Sequence, residues 1–393
     1  MDNCVIPHGY KATALGIIPQ EWKTIRLKDC FSISAGGDVQ KDCFSEAPSL
    51  QYKYPIYSNS LFNHGLYGFT SHPRHKANSI TITGRGALGH AEYREIDFDA
   101  IVRLLVLAPK IPLNGQYITE YINFRKPFFY ESTGVPQLTA PQIANIQVLF
   151  PPLGEQRKIA EVLGVWDEAI EKQARLIEKL ALRKRGLMQR LLSAKLRLPG
   201  FSEPWKIHKL QELFTERNET NRTDLPLLSI TGDRGVILQT ESEKRDTSND
   251  DKSKYKRIAK GDIGYNTMRM WQGRSALSGL EGIVSPAYTI VVPNTDVDGY
   301  YMSVLFKQPR LIYDFWTHSQ GLVGDTLNCK YRDFGQVHIC CPPLAEQKAI
   351  TEVLTAADRE IELAKEKLER LRRQKRGLMQ QLLSGKKRVK INI

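Results

Sequence analysis

Two stretches of the chain, 191 residues apart, repeat each other without a gap. Residues 151–195 and 342–386 share 24 of 45 positions, and a fainter echo precedes each copy, where a Trp-Lys pair begins at Trp22 and again at Trp205. Self-similarity over so long a period marks a duplicated architecture. We therefore predict four segments, namely globular domains at 1–150 and 198–341, and helical repeats at 151–197 and 342–393.

Both repeats have the residue spacing of long helices. Pro152 and Pro343 precede the predicted first turns, where a missing backbone N–H costs little. From there, mostly apolar residues recur in alternating steps of four and three, which is the seam period of a coiled coil. Lys184 and Lys375 interrupt this seam and could set its register. The predicted seam residues are Ile159, Leu163, Trp166, Ile170, Ile177, Leu180, Leu187 and Leu191 in the first repeat, and Ile350, Leu354, Ile361, Leu368, Leu371, Leu378 and Leu382 in the second.

The net charge along each repeat changes sign half-way. Residues 155–171 carry −3 and residues 172–197 carry +8, while residues 346–362 carry −3 and residues 363–393 carry +9. Antiparallel pairing places each acidic half beside a basic half, whereas parallel pairing places like charges together. We therefore predict an antiparallel coiled coil. The alternative is a solvated charge gradient on two helices that pack elsewhere.

The globular segments mix short strands with short helices. Strand-like runs occur at 79–83, 101–107 and 288–292, and helical stretches at 115–124 and 300–317. The predicted fold class is mixed α/β, with two pseudo-repeated globular domains separated by two long helices that form an antiparallel coiled coil. The two domains resemble each other mainly at their edges. We therefore expect them to perform the same kind of function on two different ligands.

The composition favours a polyanionic partner inside the cell. The formal net charge is +13, and the helical repeats carry +5 and +6 of it, so the globular segments are close to neutral. This distribution favours a DNA-binding protein that works within a larger complex. Six cysteines without a CxxC spacing argue against disulfides and zinc, and the absence of a signal-peptide pattern or a long apolar run favours the cytoplasm.

Two patterns are typical of catalytic or cofactor sites, and both have simpler explanations. Residues 84–89 match GxGxxG, but a strand-like alternation follows where a dinucleotide site needs a helix. A glycine turn that lets Arg85 approach a backbone is the alternative. Four histidines lack paired cysteines or a clear carboxylate partner and are more simply hydrogen-bonding groups than metal ligands: His64, His72, His75 and His90. The sequence contains neither a Walker A motif nor the Asn/Asp-Pro-Pro-aromatic motif of adenine methyltransferases, so we expect no catalytic residue, metal or cofactor on this chain.

Side chains suited to reading DNA bases occur beside aromatic residues. Asn, Gln and Arg pair with adenine and guanine edges in the major groove. Residues 265–274 concentrate such side chains in the second domain, and residues 57–64 with Arg85 are the nearest equivalents in the first. A buried Trp271 that only packs its loop is the alternative for the second domain. The predicted DNA-contacting residues are Asn59, Asn63, Arg85, Asn266, Arg269, Gln272 and Arg274.

Together these features resemble the specificity subunit of type I restriction-modification systems over nearly the whole chain. The most specific signals are Pro-Pro-Leu-x-Glu-Gln and Lys-Arg-Gly-Leu-Met-Gln-x-Leu-Leu-Ser, each present twice. Residues 11–22 and 198–205 are similar to the family's lead-ins to its two target-recognition domains, and residues 261–265 to a segment inside such domains. Gly154 corresponds to Ala345 in the second copy, which is a small departure.

The resemblance implies a non-catalytic subunit that recruits catalysis. Each globular domain would read one half of a split double-stranded DNA target, and the helices would set the half-site spacing and dock two methyltransferase subunits. S-adenosylmethionine, ATP and Mg²⁺ would be bound by the methyltransferase and restriction subunits. Two rival functions stay open. One is a single-chain enzyme, for which the sequence offers no motif; the other is a coiled-coil scaffold or stand-alone DNA-binding regulator, which leaves the divergent domains unexplained.

Overall fold

The computed structural model describes residues 6–126, 137–232, 234–242, 250–321 and 327–390. Its contacts divide the chain into two compact units, Met1–Arg175 with Lys365–Ile393, and Leu176–Ala364. Each unit combines one globular region with parts of both helical repeats, so the unit borders differ from the four segments that follow the chain. Within the described ranges, no helix has both the length and the apolar character that crossing a membrane requires.

In the described residues, the first unit contains short strands, three short α-helices, the beginning of one long helix and the end of another. Its strands are β1 (Tyr10–Thr13), β2 (Gly16–Pro19), β3 (Lys23–Arg26), β4 (Phe31–Ala35), β5 (Phe44–Ser45), β6 (Tyr54–Tyr57), β7 (Leu66–Thr70), β8 (Ser79–Ile82), β9 (Ala91–Arg94), β10 (Asp99–Ala100), β11 (Leu105–Pro109) and β12 (Gln147–Phe150). Its helices are α1 (Leu27–Cys30), α2 (Gly115–Arg125) and α3 (Ala140–Ala144), followed by α4 (Leu153–Leu191).

Two four-stranded sheets position the loops of the first unit. One sheet has the order β4-β11-β8-β9 and is antiparallel throughout, and the other has the order β10-β6-β7-β5. Strand β12 pairs separately with β3. Helix α2 begins at the capping residue Asn114, whose side chain accepts a hydrogen bond from the backbone N of Tyr117. The core contains buried residues of β8, such as Ile80, and of α2, such as Tyr121.

The second unit continues from the end of α4 and contains the start of a second long helix. Its strands are β13 (Lys206–Lys209), β14 (Phe214–Glu216), β15 (Leu228–Ile230), β16 (Val236–Leu238), β17 (Lys256–Ile258), β18 (Ile263–Asn266), β19 (Ser275–Leu277), β20 (Gly282–Val284), β21 (Tyr288–Pro293) and β22 (His338–Cys341). Its helices are α5 (Leu210–Leu213), α6 (Gly299–Leu305), α7 (Pro309–His318), α8 (Tyr331–Phe334) and α9 (Leu344–Leu382).

The main sheet of the second unit repeats that of the first. Its order is β14-β21-β18-β19, which matches β4-β11-β8-β9 strand for strand, and the β13-β22 pair matches β3-β12. The core beneath it is aromatic, with Phe306, Phe315 and Phe334 in mutual ring contact. The duplication that the sequence indicated in the helices therefore extends to the sheets, where sequence similarity is weak.

Two elements differ from the sequence-based expectation. The predicted strand at 101–107 begins only at Leu105, because Val102 and Arg103 have φ values of 54° and 58° and form a left-handed turn. The predicted helix at 300–317 is two helices, α6 and α7. The second begins at Pro309, where the proline ring favours a helix start and cannot continue a preceding helix.

Helices α4 and α9 are each 39 residues long, which corresponds to about 58 Å at 1.5 Å per residue. Every predicted seam residue is buried or half-buried, from Ile159 to Leu191 in α4 and from Ile350 to Leu382 in α9. Around the buried Gln173, the neighbours off the seam are exposed, namely Glu171, Lys172, Arg175 and Leu176. The inward side of each helix therefore follows the predicted period.

Ion pairs within each unit show the direction of pairing. In the first unit, Lys375 Nζ lies 2.6 Å from Asp167 Oδ1, and Arg388 Nε lies 2.6 Å from Glu155 Oε1. Residue numbers therefore rise along one repeat as they fall along the other. In the second unit, the equivalent pairs are Lys184 with Asp358 and Arg197 with Glu346. All four pairs join a basic half to an acidic half, so the predicted antiparallel coiled coil is confirmed.

Candidate functional site

Three connections between strands meet in the first unit. Asn59 joins them, because its Oδ1 accepts a hydrogen bond from the Gly84 backbone N at 2.8 Å and its Nδ2 donates to the Val102 carbonyl at 2.6 Å. Both polar ends of this amide are used inside the protein, so Asn59 fixes the loops in place. We call these connections the first loop cluster and define it as residues 58–65, 83–90 and 101–104.

Five polar or charged residues of the first loop cluster are exposed, namely Ser60, Asn63, His64, Arg85 and Arg103. Asn63 and Arg85 are exposed, as predicted for DNA-contacting residues, and Arg103 is exposed beside them in the left-handed turn. The cluster contains no Asp or Glu. Its surface is therefore suited to an anionic ligand, because no carboxylate within it neutralises the two guanidinium groups.

A partly buried network of side chains holds the loop that carries Asn63. Glu92 Oε1 contacts His64 Nδ1 at 3.3 Å and His90 Nε2 at 2.9 Å. Burial raises the pKa of the Glu92 carboxyl, but hydrogen bonds from His90 and His64 and the nearby Arg94 outweigh burial, and the pKa is lowered overall. The buried Arg94 donates to the His64 carbonyl at 3.0 Å. The network thereby links strand β9 to the loop after β6.

The second unit contains a matching pair of loops. The loop between β18 and β19 corresponds to that between β8 and β9, and it approaches the β15-β16 hairpin: a Cβ added at Gly232 would lie 2.7 Å from Arg274 Nη1. We call residues 231–235 and 266–274 the second loop cluster; position 233 lies outside the described residues. Arg85 and the predicted residues between Asn266 and Arg274 thus lie in equivalent hairpins of two equivalent sheets, whereas Asn59 and Asn63 lie in the neighbouring loop after β6.

The predicted residues of the second loop cluster fall into two groups. Arg269, Gln272 and Arg274 are exposed. Asn266 is half-buried, and its Oδ1 accepts a hydrogen bond from the Met268 backbone N at 3.0 Å. Like Asn59, Asn266 therefore shapes its loop. The indole N–H of the half-buried Trp271 donates to the Met268 carbonyl, so this ring also takes part in the loop's packing.

The glycine motif and the histidines have structural contacts of their own. Residues 84–89 lead into strand β9, which leaves no helix N-terminus for a pyrophosphate. His75 packs against the ring of Phe98, and burial is the largest cause of its lowered pKa. Among the described residues, no group of three or more His, Cys, Asp or Glu side chains is arranged to hold a metal ion.

The repeated Pro-Pro-Leu-x-Glu-Gln motif forms the joint between each helix and its globular region. In the first unit, the fully buried Glu155 accepts a hydrogen bond from Trp22 Nε1 at 2.9 Å and pairs with Arg388. In the second unit, Glu346 accepts one from Trp205 Nε1 at 3.2 Å and pairs with Arg197. The Trp-Lys echo and the helical motif thus meet in three dimensions.

The glutamine of the motif completes the joint. Gln156 accepts a hydrogen bond from the Asn114 backbone N and donates one to the Pro151 carbonyl. Gln347 makes the same two contacts, with Asp298 and Pro342. Each glutamine therefore ties the first turn of its long helix to the capping residue of a short helix in the globular region, which explains why the motif occurs twice.

A family model for the type I restriction modification DNA specificity domain matches residues 19–181. A protein of Mycoplasma pneumoniae, named provisionally as a type I specificity subunit, is 33% identical over 145 residues, which make up 37% of this chain and 39% of that protein. A second relative, from Methanocaldococcus jannaschii and named provisionally as a type I restriction enzyme specificity subunit, is 25% identical over 97% of each chain. The chain is therefore similar to type I restriction-modification specificity subunits, in residues 19–181 by the family model and over nearly its whole length by the second relative.

A solved structure has the same fold as this chain. The crystal structure of the type I restriction-modification S subunit from M. genitalium aligns with a TM-score of 0.59 over 92% of this chain and 96% of that chain. Its sequence identity is 14%, so the likeness concerns the fold alone.

The sequence did not reveal two features of the first loop cluster. The sequence predicts a strand at Arg103, because the run from Ile101 to Leu107 is rich in β-branched and aliphatic residues. Phe62 is 86% exposed, although large aromatic side chains are ordinarily mostly buried. Neither feature has a local sequence signal, since both depend on turns held by distant residues.

Proposed function

We propose that each loop cluster of this chain reads one half of a split, asymmetric DNA target. The observation that supports this most directly is that equivalent sheets carry two clusters of exposed Arg, Asn and Gln side chains that differ in length and sequence. Because the sheets are equivalent, both domains would bind DNA in the same way. Because the loops differ, the two domains would recognise different half-site sequences. Arg, Asn and Gln are suited to bidentate contacts with guanine and adenine edges.

In this proposal the long helices set the distance between half-sites and dock two methyltransferase subunits. Inserting one heptad into both α4 and α9 keeps the seam in phase and lengthens each helix by about 10 Å. Since base pairs are spaced by about 3.4 Å, the gap in the target should grow by about three base pairs. A lengthened variant that still recognises the original gap would contradict the role of the helices as spacers.

The chain itself carries out no catalysis in this proposal. The methyltransferase subunits would bring S-adenosylmethionine, and restriction subunits reached through them would bring ATP and Mg²⁺, all in the cytoplasm. Purified chain that methylates or cleaves DNA unaided would contradict this division of labour.

The test is to co-express the chain with the methyltransferase subunit of its own system and to map adenine methylation across the host genome. We expect a split motif that disappears when this chain is omitted. A matched variant in which residues 231–235 and 266–274 are replaced by those of a relative should alter one half-site and leave the other unchanged. A soluble, bound methyltransferase that produces no new methylation would contradict the proposed function.

A further inference from the structure

We propose that Leu61 and Phe62 form an apolar wedge that inserts between two adjacent base pairs of one half-site. The inference rests on the proposed function and deepens it, because it assigns a way of recognising DNA through the ease of unstacking a base step. Inserted Phe and Leu side chains unstack and kink DNA in other proteins. Steps that unstack easily, chiefly pyrimidine–purine steps, then become part of the target.

The two side chains project from the first loop cluster. Phe62 is 86% exposed and Leu61 is 52% exposed, although both are large and apolar. Single exposed apolar residues are ordinary, but two consecutive ones at the tip of a loop beside base-reading side chains need a partner that covers them. A base step offers two flat apolar faces of suitable size.

The tip is held rigidly enough to act as a wedge. Ser58 N donates to the Gly65 carbonyl at 2.8 Å and closes the base of the loop, and Phe62 N donates to Ser60 Oγ at 3.1 Å. After the tip, Asn63 and His64 have φ values of 47° and 54°. Two successive left-handed residues that are not glycine persist only where surrounding contacts enforce them.

Contacts from the rest of the cluster supply that enforcement. Arg94 donates to the His64 carbonyl, Glu92 contacts the His64 ring, and Asn59 ties the loop to Gly84 and Val102. Because these contacts hold the turn from both sides, Leu61 and Phe62 remain exposed and do not fold back onto the protein. A tip whose backbone is already fixed loses little backbone conformational entropy on insertion.

The charges around the tip favour DNA as the partner that covers it. Arg85 and Arg103 are exposed, and neither has an ion pair among the described residues. The first loop cluster contains no Asp or Glu. An apolar tip flanked by unpaired cations matches bases flanked by phosphates. A methyltransferase surface is the competing partner and is tested below.

The turn of the second loop cluster that corresponds to the loop after β6 lacks this pair of apolar residues. Residues 231–235, which correspond to the loop after β6, contain no large apolar side chain and are three residues shorter than residues 58–65. The wedge should therefore act at one half-site only, which provides a control within the same complex.

The experiment uses the complete methyltransferase complex and duplexes that contain its mapped split motif. 2-Aminopurine replaces one base at a time through both half-sites, and its fluorescence reports unstacking. We expect a rise at one step of one half-site with the wild-type complex. Phe62→Ala should abolish that rise and weaken binding about 10-fold, in line with the loss of one stacked aromatic, whereas Phe62→Trp should retain both.

Ile96→Ala is the matched control, because Ile96 is 54% exposed in the same unit but lies outside the first loop cluster. It should bind and unstack DNA like the wild type. Unchanged fluorescence and affinity in Phe62→Ala would overturn the wedge while leaving the proposed function intact. Weaker complex assembly without any change in DNA affinity would overturn it in favour of a protein contact. A wild-type complex with no split motif would overturn both proposals.

Discussion

The two seam lysines occupy equivalent positions but have different surroundings. In the first unit, Lys375 contacts Asp167 and also Glu120 of α2, whose side chain is 8% exposed. In the second unit, Lys184 contacts Asp358, whose side chain is 46% exposed and also accepts a hydrogen bond from the Tyr300 hydroxyl. The duplicated helices thus retained the Lys–Asp pair, while each globular region supplied its own third group. Equivalent residues in the two helices therefore do not make the surroundings, or the stabilising energy, of the two seam lysines equal.

The loop clusters differ more than the joints do. Each combines a hairpin of the main sheet with a neighbouring loop, but that loop is the long tip with Leu61 and Phe62 in the first cluster and a short turn beside Arg274 in the second. The repeated helices and sheets are constrained by packing, which tolerates few changes. Exposed loop tips make few core contacts, so they can change with the ligand.

The largest expected difference between the units concerns the two tryptophans that donate a hydrogen bond to the glutamate of the repeated motif. Trp22 is fully buried, whereas Trp205 is half-buried. Trp22→Ala should lower the free energy of unfolding by about 3–5 kcal/mol, and Trp205→Ala should lower it by clearly less. Urea denaturation followed by circular dichroism measures both. Equal losses would show that exposure does not distinguish the joints.

The seam lysines give the next largest contrast. Lys375→Met leaves the buried Glu120 carboxylate without its cation and should cost about 2–3 kcal/mol at neutral pH. Lys184→Met should cost less, because Asp358 is more exposed and keeps the Tyr300 hydroxyl. Denaturation of both variants at pH 7 checks this order, and a larger loss in Lys184→Met would contradict it.

The pH dependence of the free energy of unfolding provides a further test of the Lys375 contact with Glu120. Burial raises the pKa of Glu120 above its ordinary value of 4.5, and Lys375 opposes the rise, so Lys375→Met should raise the pKa further. The folded state then binds more protons than the unfolded state above pH 4.5, and lowering the pH stabilises the fold. The stability deficit of Lys375→Met should therefore shrink from pH 7 toward pH 5. A deficit independent of pH would contradict an ionised, buried Glu120.

Substitution of one exposed arginine in each loop cluster should weaken recognition of one half-site and leave the other unchanged. Arg85→Ala and Arg274→Ala should each weaken recognition of a different half-site by about 1–3 kcal/mol, the scale of one bidentate base contact. Methylation rates on duplexes with single substitutions in either half-site measure the effect. If both variants weaken binding evenly across sequences, the arginines contact phosphates and do not read bases.

The smallest expected effect tests the internal role of Asn59. Asn59→Ala removes two hydrogen bonds to backbone groups and should cost about 1 kcal/mol of stability, with recognition impaired only through a displaced loop. Gln272→Ala, which removes an exposed amide from the second loop cluster at a residue without a positive φ, should leave stability unchanged. Denaturation distinguishes the two, and a stable Asn59→Ala that changes base preference would restore Asn59 as a direct DNA contact.

The sequence alone determined the duplication, the two long helices, their antiparallel direction and the region of each loop cluster. These features are encoded by period, by charge sign along one helix and by identical residues at a fixed shift, all of which are one-dimensional patterns. It did not determine that Asn59 bonds to two other loops and Asn266 to its own, that Val102 and Arg103 form a left-handed turn, or that Phe62 projects into solvent. Asn59 and Val102 are separated by 43 residues in sequence. Such contacts depend on which strands become neighbours in the sheets, and only the tertiary structure decides that.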